Sequence, residues 1–381
     1  MAALSIVPNG AVLIRNGIVE DVGPARRVEN LAGAKNAREI DATGKLVMPA
    51  FVDADMALVV PAPVVKAGET EPTEGPAALR LMSRQRVQAR AAAVAADWAR
   101  YGCLTVGAHT SCATDMQNIG KVLRTHQALQ SKPLRIRSIF SPQLPCPGAR
   151  SAAGTIETLI SKWLPAVRGK KLASVLELTV GGPFAAVDNV SIRALAVAAA
   201  GLGYAIRVRS ASRLEPVHLQ LALSAGAIAI VAPHDSLRAF TGPLSAMGCV
   251  RVIPASEGFD DEAEAGPDIR RAIDEGAAIA IATNCRLQGA MSFNMQFLLY
   301  LAVHRLGLTP EEAITATTWN PACSLRLSHV TGSLEPGKSA DLLMMDVPDF
   351  RELPRRAGHH DVSLVMRAGH VVFRGAGLIL D

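Results

Sequence analysis

The chain has 381 residues, 49% of them hydrophobic and 19% charged, which leaves room for a large buried core and little room for extended disorder. Its formal net charge of +5 is spread among acids, with no basic block longer than Arg26-Arg27, Lys170-Lys171 or Arg355-Arg356, and this argues against nucleic acid as a partner. The six cysteines lie far apart without a C-x-x-C pair, so neither a zinc knuckle nor a disulfide framework is indicated and a reduced, cytoplasmic setting is the expectation.

No basic stretch followed by a long apolar run opens the chain, and no apolar run reaches the length of a membrane span, so no membrane partner is expected. Short alternating strands are predicted first: Ala11 to Arg15, Gly17 to Val22 and Arg38 to Ala42, before a Thr43-Gly44 turn. Then comes Gly44 to Val59, where an apolar run ends at Pro49, a second begins at Phe51, and Asp53 and Asp55 stand two apart. In a regular strand Asp53, Asp55 and Ala57 would share one face.

From here strands and helices alternate, the pattern of parallel βαβ units. The strand candidates after Phe51-Val-Asp are Leu104 to Ala108, Leu134 to Ile139, Val175 to Val180, Ala205 to Arg209, Ala227 to Ala232, Val250 to Pro254 and Ala278 to Ala282. Helices are predicted over Gly75 to Arg100, Gln117 to Leu129, Ile156 to Val167, Val190 to Leu202, Glu215 to Ser224, Asp268 to Glu275, Phe293 to Leu306 and Thr309 to Thr318. Thr309-Pro-Glu-Glu reads as a helix start with Thr as cap. The polar run Glu257 to Pro267 reads as a solvated loop. Eight such strands fit a TIM barrel of about 250 residues, with its chemistry where strands run out into loops. The tail returns to β-texture at Ala340 to Val347 and Val362 to Phe373, so the two ends are expected to meet in one small β-sandwich. The division is therefore 1–48 and 331–381 for the composite β-domain and 49–330 for the (β/α)8 barrel.

Thr309 to Ile314, Asn320-Pro-Ala and Gly332 to Leu343 together resemble the end of an amidohydrolase-superfamily barrel running into its β-domain. Asp346 to Pro354, with Val362 to Val372, is similar more narrowly to the imidazolonepropionases, which hydrolyse a ring C–N bond with one metal ion. Gly102-Cys-Leu-Thr-Val and Gly182-Pro-Phe extend the likeness upstream. The resemblance implies metal ligands that this sequence lacks. Asp55 and Ala57 stand at the first-strand His-x-His, Arg209 at the fifth-strand histidine, Ala232 near the sixth-strand histidine, and Asn284 at the aspartate closing the eighth strand.

Zinc or iron in such a site takes neutral imidazoles and a carboxylate. A permanent cation at Arg209 repels a dication, so no metal and no cofactor is expected. Asp53 and Asp55, with His109 or His234-Asp235, are the donors left for any other metal constellation, against the simpler reading that these acids form salt bridges. Asp55, Arg209 and Asn284 are the candidate catalytic residues. Asp55 and Arg209 are expected either to pair across the barrel mouth or to act on a substrate, Asp55 as base and Arg209 holding a substrate carboxylate or an oxyanion. Arg207 shares the strand parity of Arg209, which leaves open which of the two faces the interior. His109, Cys112 and Cys285 are candidate substrate-binding residues, and Cys112 or Cys285 with His109 is a candidate nucleophile pair, weighed against inert burial of both thiols. His218, His304, His329 and His359-His360 are read as structural.

Three functions remain. One is metal-free hydrolysis of a C–N bond in a small amide, cyclic or open. The second is a non-catalytic pseudoenzyme that binds a small-molecule ligand or a partner subunit, with a homodimer left open because barrels of this family commonly dimerise. The third is an active metal hydrolase.

Overall fold

The structure, a computed structural model, describes residues 4–61, 63, 73–143, 152–181, 189–210, 214–233, 248–254, 266–285 and 294–375. Two antiparallel strands open it, β1 (Gly10–Arg15) and β2 (Ile18–Pro24), turning at Asn16 and Gly17 with positive φ of 52° and 79°. Residues 38–42 form no strand, contrary to the alternation there. The Asp41 carboxylate instead accepts from Thr43 N at 2.8 Å and Lys45 N donates to Ala42 O, so local turn bonds win over sheet pairing. Then β3 (Leu46–Pro49) leads through Ala50 into β4 (Phe51–Met56).

The barrel strands continue as β5 (Cys103–His109), β6 (Arg135–Phe140), β7 (Val175–Val180), β8 (Ala205–Ser210), β9 (Ala229–Val231), β10 (Val250–Pro254) and β11 (Ile279–Ala282). Their spatial order is the chain order from β4 to β11, and each adjacent pair is parallel. The ring closes between its first and last strands: Met56 bridges Cys285 in parallel, Asn284 N donates to Asp55 O at 2.9 Å, and Ala57 N donates to Cys285 O at 2.9 Å. The structure is thus the TIM barrel expected from eight βα units.

Helices wrap the barrel. The first long helical pattern is broken at Met82, whose extended ψ of 133° ends the helix Gly75–Leu81, and Ser83 caps the helix Arg84–Arg100 by accepting from Arg86 N at 3.2 Å. At Thr309 the expected cap is a reciprocal one: Glu312 N donates to Thr309 Oγ1 at 3.2 Å, and Thr309 N donates to Glu312 Oε2 at 2.9 Å. Among the described residues no helix is long and apolar enough to cross a membrane.

Three strands finish the chain, β12 (Leu342–Met345), β13 (Val362–Arg367) and β14 (His370–Arg374). They pair antiparallel in the order β14, β13, β12, β3, so an N-terminal strand completes a C-terminal sheet. The β1–β2 hairpin lies over this sheet: Val12 and Ile14 pack with Leu342, Met344, Leu364 and Met366, and Val19 N donates to Lys338 O at 2.8 Å. Two sheets joined in this way make the composite sandwich read from the two ends.

Inside the barrel, Val52, Ala54, Ile139, Val175, Ala205, Ala229, Val250 and Ala280 form one apolar cluster with Ala322, Leu325 and Leu327, which lie in and just after the short helix Trp319–Ser324. This cluster fills the barrel from its N-terminal end. What stands beyond it, toward the C-terminal ends of the strands, is charged.

Candidate functional site

Strand parity places the charges. On β7 and β8, Val175 and Ala205 face the inner cluster, so Glu177, Arg207 and Arg209 face inward as well, while Leu176, Leu178, Ile206 and Val208 face the helices. Glu177 stands opposite Arg207 in the strand register, and Thr179 opposite Arg209. Both arginines therefore belong to the interior, which resolves the parity question for both together.

On β4 the parity breaks. Asp53 pairs with Val106 but Met56 pairs with Ala108, three residues against two, and this irregularity turns Asp53 and Asp55 to different surroundings. Their shared face in a regular strand is not kept. Asp53 accepts from Trp98 Nε1 at 3.2 Å, from Thr283 N at 3.2 Å, from the Thr283 hydroxyl and from Asp55 N at 3.1 Å, under the wall of helices. Burial pushes its carboxyl up to about 6, against the Thr283 and backbone bonds that favour the anion.

Asp55 turns inward and meets both arginines. Arg207 donates through Nη2 to Asp55 Oδ1 at 2.6 Å and through Nη1 to Ala54 O at 2.6 Å, while its Nε lies 2.8 Å from Glu177 Oε2. Arg209 also donates through Nη2 to Asp55 Oδ1. It grips Glu177 with two bonds, Nε to Oε1 at 2.9 Å and Nη2 to Oε2 at 3.1 Å. Ser141 Oγ adds a bond to Glu177 Oε1 at 3.1 Å.

Two carboxylates and two guanidiniums thus form a closed ring of formal charge zero, and all four residues are buried. Burial opposes ionisation of Glu177, but Arg209 and then Arg207 outweigh it and hold its carboxyl at about 2. Burial likewise opposes the charge on Arg209, which Asp55 and Glu177 more than restore, so its pKa lies above the usual arginine value.

Of the residues expected at the site, Asp55 and Arg209 do meet across the barrel. Asn284 closes the ring beside them with its backbone, adopting a left-handed φ of 48°. His109, at the end of β5, lies with Nε2 3.9 Å from Asp55 Oδ1 and Nδ1 2.8 Å from Ser111 Oγ. The two cysteines fit a thiolate poorly. Cys112 and Cys285 both pack in the apolar cluster between barrel and helices, and burial pushes each thiol up to about 12. Ala232 is buried past the end of β9. His234-Asp235, Gly182-Pro-Phe, Cys146 and most of the Glu257 to Pro267 run lie outside the described residues.

Glu177 is the member of the ring not singled out from the sequence. Its signal was available: one carboxylate in the apolar run Val175-Leu-Glu-Leu-Thr-Val cannot be buried without a cation, and the next strand carries two arginines at matching parity. Among the described residues no three His, Cys, Asp or Glu side chains are grouped as a metal would require.

Comparison with known proteins agrees with this frame. Residues 263–372 match the model of the Amidohydrolase family. The imidazolonepropionase of Brevibacillus brevis is 28% identical over 98% of this chain and 92% of its own, and that of Solibacter usitatus is 29% identical over 98% and 93%. Among solved structures, N-isopropylammelide isopropylaminohydrolase from Burkholderia multivorans superposes with a TM-score of 0.70 at 17% identity over 97% of this chain and 95% of its own. A Xaa-Pro dipeptidase superposes at 0.68 with 18% identity, over 96% and 95%.

Proposed function

We propose that this chain, a member of the amidohydrolase superfamily similar along nearly its whole length to imidazolonepropionases, is a non-hydrolytic member in which a neutral ring of four buried charges stands where a metal centre would. Its role is then to bind, a small polar ligand at the barrel mouth or a partner subunit, and not to cleave a C–N bond. The observation that carries this reading is that Arg209 is bonded to Asp55 and to both oxygens of Glu177 at once.

The chemistry of the donor set supports it. Among the described residues, a divalent metal here would have Asp55, Glu177 and His109 as its candidate ligands, and each of the two carboxylates is already engaged by guanidinium groups. Two permanent cations in the same few ångströms would repel the ion. A family-type metal does not fit this set. Metal-free hydrolysis, with Arg209 holding an oxyanion and Asp55 as base, is the rival. It would need Arg209 and Asp55 to give up the bonds they make to each other, in a site already neutral.

The test has two parts. Protein purified without chelator is analysed for zinc, iron and manganese, and the expected result is a substoichiometric content of all three. The same protein is then assayed against a panel of cyclic amides beside Arg209→Ala and Asp55→Ala. No turnover by any of the three is expected; turnover by the parent protein that both substitutions abolish would establish the metal-free hydrolase instead.

A further inference from the structure

The opposite end of the barrel carries a second concentration of charge, and among the described residues this one is not balanced. Arg135 and Arg137 are two apart on β6 and so project from the same face of the strand. The register pairs Ile139 with Val175, which sets both arginines before the apolar layer, toward the N-terminal ends of the strands, while Glu177, Arg207 and Arg209 follow it. Arg367 arrives from the end of β13. Asp341 joins the groups: its Oδ2 accepts from Arg135 Nη2 at 3.0 Å, and its Oδ1 accepts from the backbone N of Ala368, the residue after Arg367, at 2.9 Å.

The remaining contacts are with neutral oxygens. Arg137 donates to Ser174 Oγ at 3.1 Å and to Arg326 O at 3.5 Å, and Arg367 donates to Ser131 Oγ at 3.1 Å. Among the described residues Asp341 is the one carboxylate paired with any of the three, so three guanidiniums face one negative charge. All three arginines are half-buried, which weakens solvent screening and makes the imbalance costly. Burial and, after it, the charge of Arg135 hold the Arg137 guanidinium below the usual arginine value; burial lowers Arg367 too, against the pull of Asp341.

We propose that Arg135, Arg137 and Arg367, at the junction of the barrel floor and the composite sheet, form a binding site for one tetrahedral oxyanion of the phosphate type. A dianion brings the local charge of three cations and one carboxylate to zero. Guanidinium groups suit it because each offers several donors in a plane, matching two oxygens at a time. The site lies beyond the apolar layer from the Asp55–Arg209 ring and does not depend on what happens there. Free phosphate and the phosphoryl group of a small phosphomonoester share this chemistry.

The test is calorimetric titration of the full chain with inorganic phosphate and, separately, with glycerol 2-phosphate, against sodium chloride at matched ionic strength. A saturable heat with one site per chain is expected for phosphate and not for chloride. If the phosphomonoester binds as well as or better than phosphate, the site serves a small phosphorylated molecule; if phosphate alone binds, it serves the free ion. Arg137→Gln and Arg367→Gln should each weaken binding by at least about tenfold, while Arg15→Gln, at an exposed arginine paired with Glu20, should leave it unchanged. Circular dichroism and thermal unfolding check that the variants are folded. Absence of saturable heat in the parent protein overturns the proposal whatever the variants do, and so does undiminished binding in both folded arginine variants.

Discussion

Arg209 and Glu177 are joined by two parallel bonds, Nε to Oε1 at 2.9 Å and Nη2 to Oε2 at 3.1 Å, in the buried centre of the barrel. A fork of this kind fixes both side chains in one geometry, and here the same Arg209 also holds Asp55. The ring is stable as a whole and poor in parts, because removing one member strands a charge of opposite sign away from water. Glu177→Gln is therefore expected to destabilise the protein by about 3–5 kcal/mol, the usual cost of breaking a buried pair. Glu177→Leu combined with Arg209→Met should cost less than the sum of the two single changes, since no charge is then left without its partner. Urea unfolding of the single and double variants measures both outcomes, and strict additivity would show that the ring is not energetically coupled.

Much of this is legible in the sequence. All eight barrel strands fall on apolar runs of the sequence, because a parallel strand buried on both faces cannot hide its composition. The pairing of Asp55 with Arg209 is one of the two arrangements expected for them, at positions where the family resemblance leads one to look. The rest depended on geometry that periodicity does not carry. The irregularity between Asp53 and Met56 sends the two aspartates apart, and strand parity alone keeps them together. Residues 38–42 alternate like a strand, but whether a strand pairs depends on a neighbour, and Asp41 closes a turn first. Glu177 was readable only together with β8, since the partner that explains it lies 32 positions away.

Gly107 tests the irregular strand directly. A Cβ there would run into the Ala54 carbonyl and come within 2.7 Å of Leu325 Cδ2. The Ala54 carbonyl is the acceptor for Arg207 Nη1, so it cannot retreat without loosening the ring. Gly107→Ala is expected to cost more than about 1–3 kcal/mol, the usual range for overpacking, because strain and a weakened buried bond add. An equal loss in Gly107→Ala and in Gly107→Ala with Glu177→Gln, each against its own parent, would show that the strain never reaches the charges.

Asp53 and Trp98 give an optical handle on barrel closure. The Asp53 carboxylate takes Trp98 Nε1 from the outer helix and Thr283 from the end of the last barrel strand. Asp53→Asn replaces one acceptor oxygen by an NH2 donor, so at least one of these donors loses its partner in a buried place, at a cost of about 1–3 kcal/mol. The expected signature is a lower urea midpoint together with a changed tryptophan emission in the folded state. Emission identical to the parent's, with an unchanged midpoint, would place the Asp53 bonds outside the forces that close the barrel.

Acid behaviour separates two buried groups of opposite sign. Burial holds His126, on the helix Met116–Leu129, at about 3, and neither ring nitrogen has a hydrogen-bond partner among the described residues. Its folded value lies below the unfolded value of about 6.5, so its contribution is fully present above that pH and is lost as pH falls toward 3, at up to about 1.4 kcal/mol per unit. Asp53 runs the other way. Its folded value of about 6 lies above the unfolded value, so the folded state takes up the proton first and gains stability as pH falls from about 6 to about 4. Glu177, held at about 2, is lost only below the unfolded glutamate value, about 4.3. Between about pH 4.5 and 6 the first two slopes oppose each other, and their sum in the parent protein should be nearly level. His126→Leu removes one slope and the unpartnered ring, so it should raise stability at pH 7 by about 1–3 kcal/mol and make it climb further as pH falls to 4.5. Urea midpoints of parent, His126→Leu and Asp53→Asn from pH 4.5 to 7 test this, the last of the three being expected to fall steeply with acid; parallel curves for all three would rule out both groups as the source of the pH dependence.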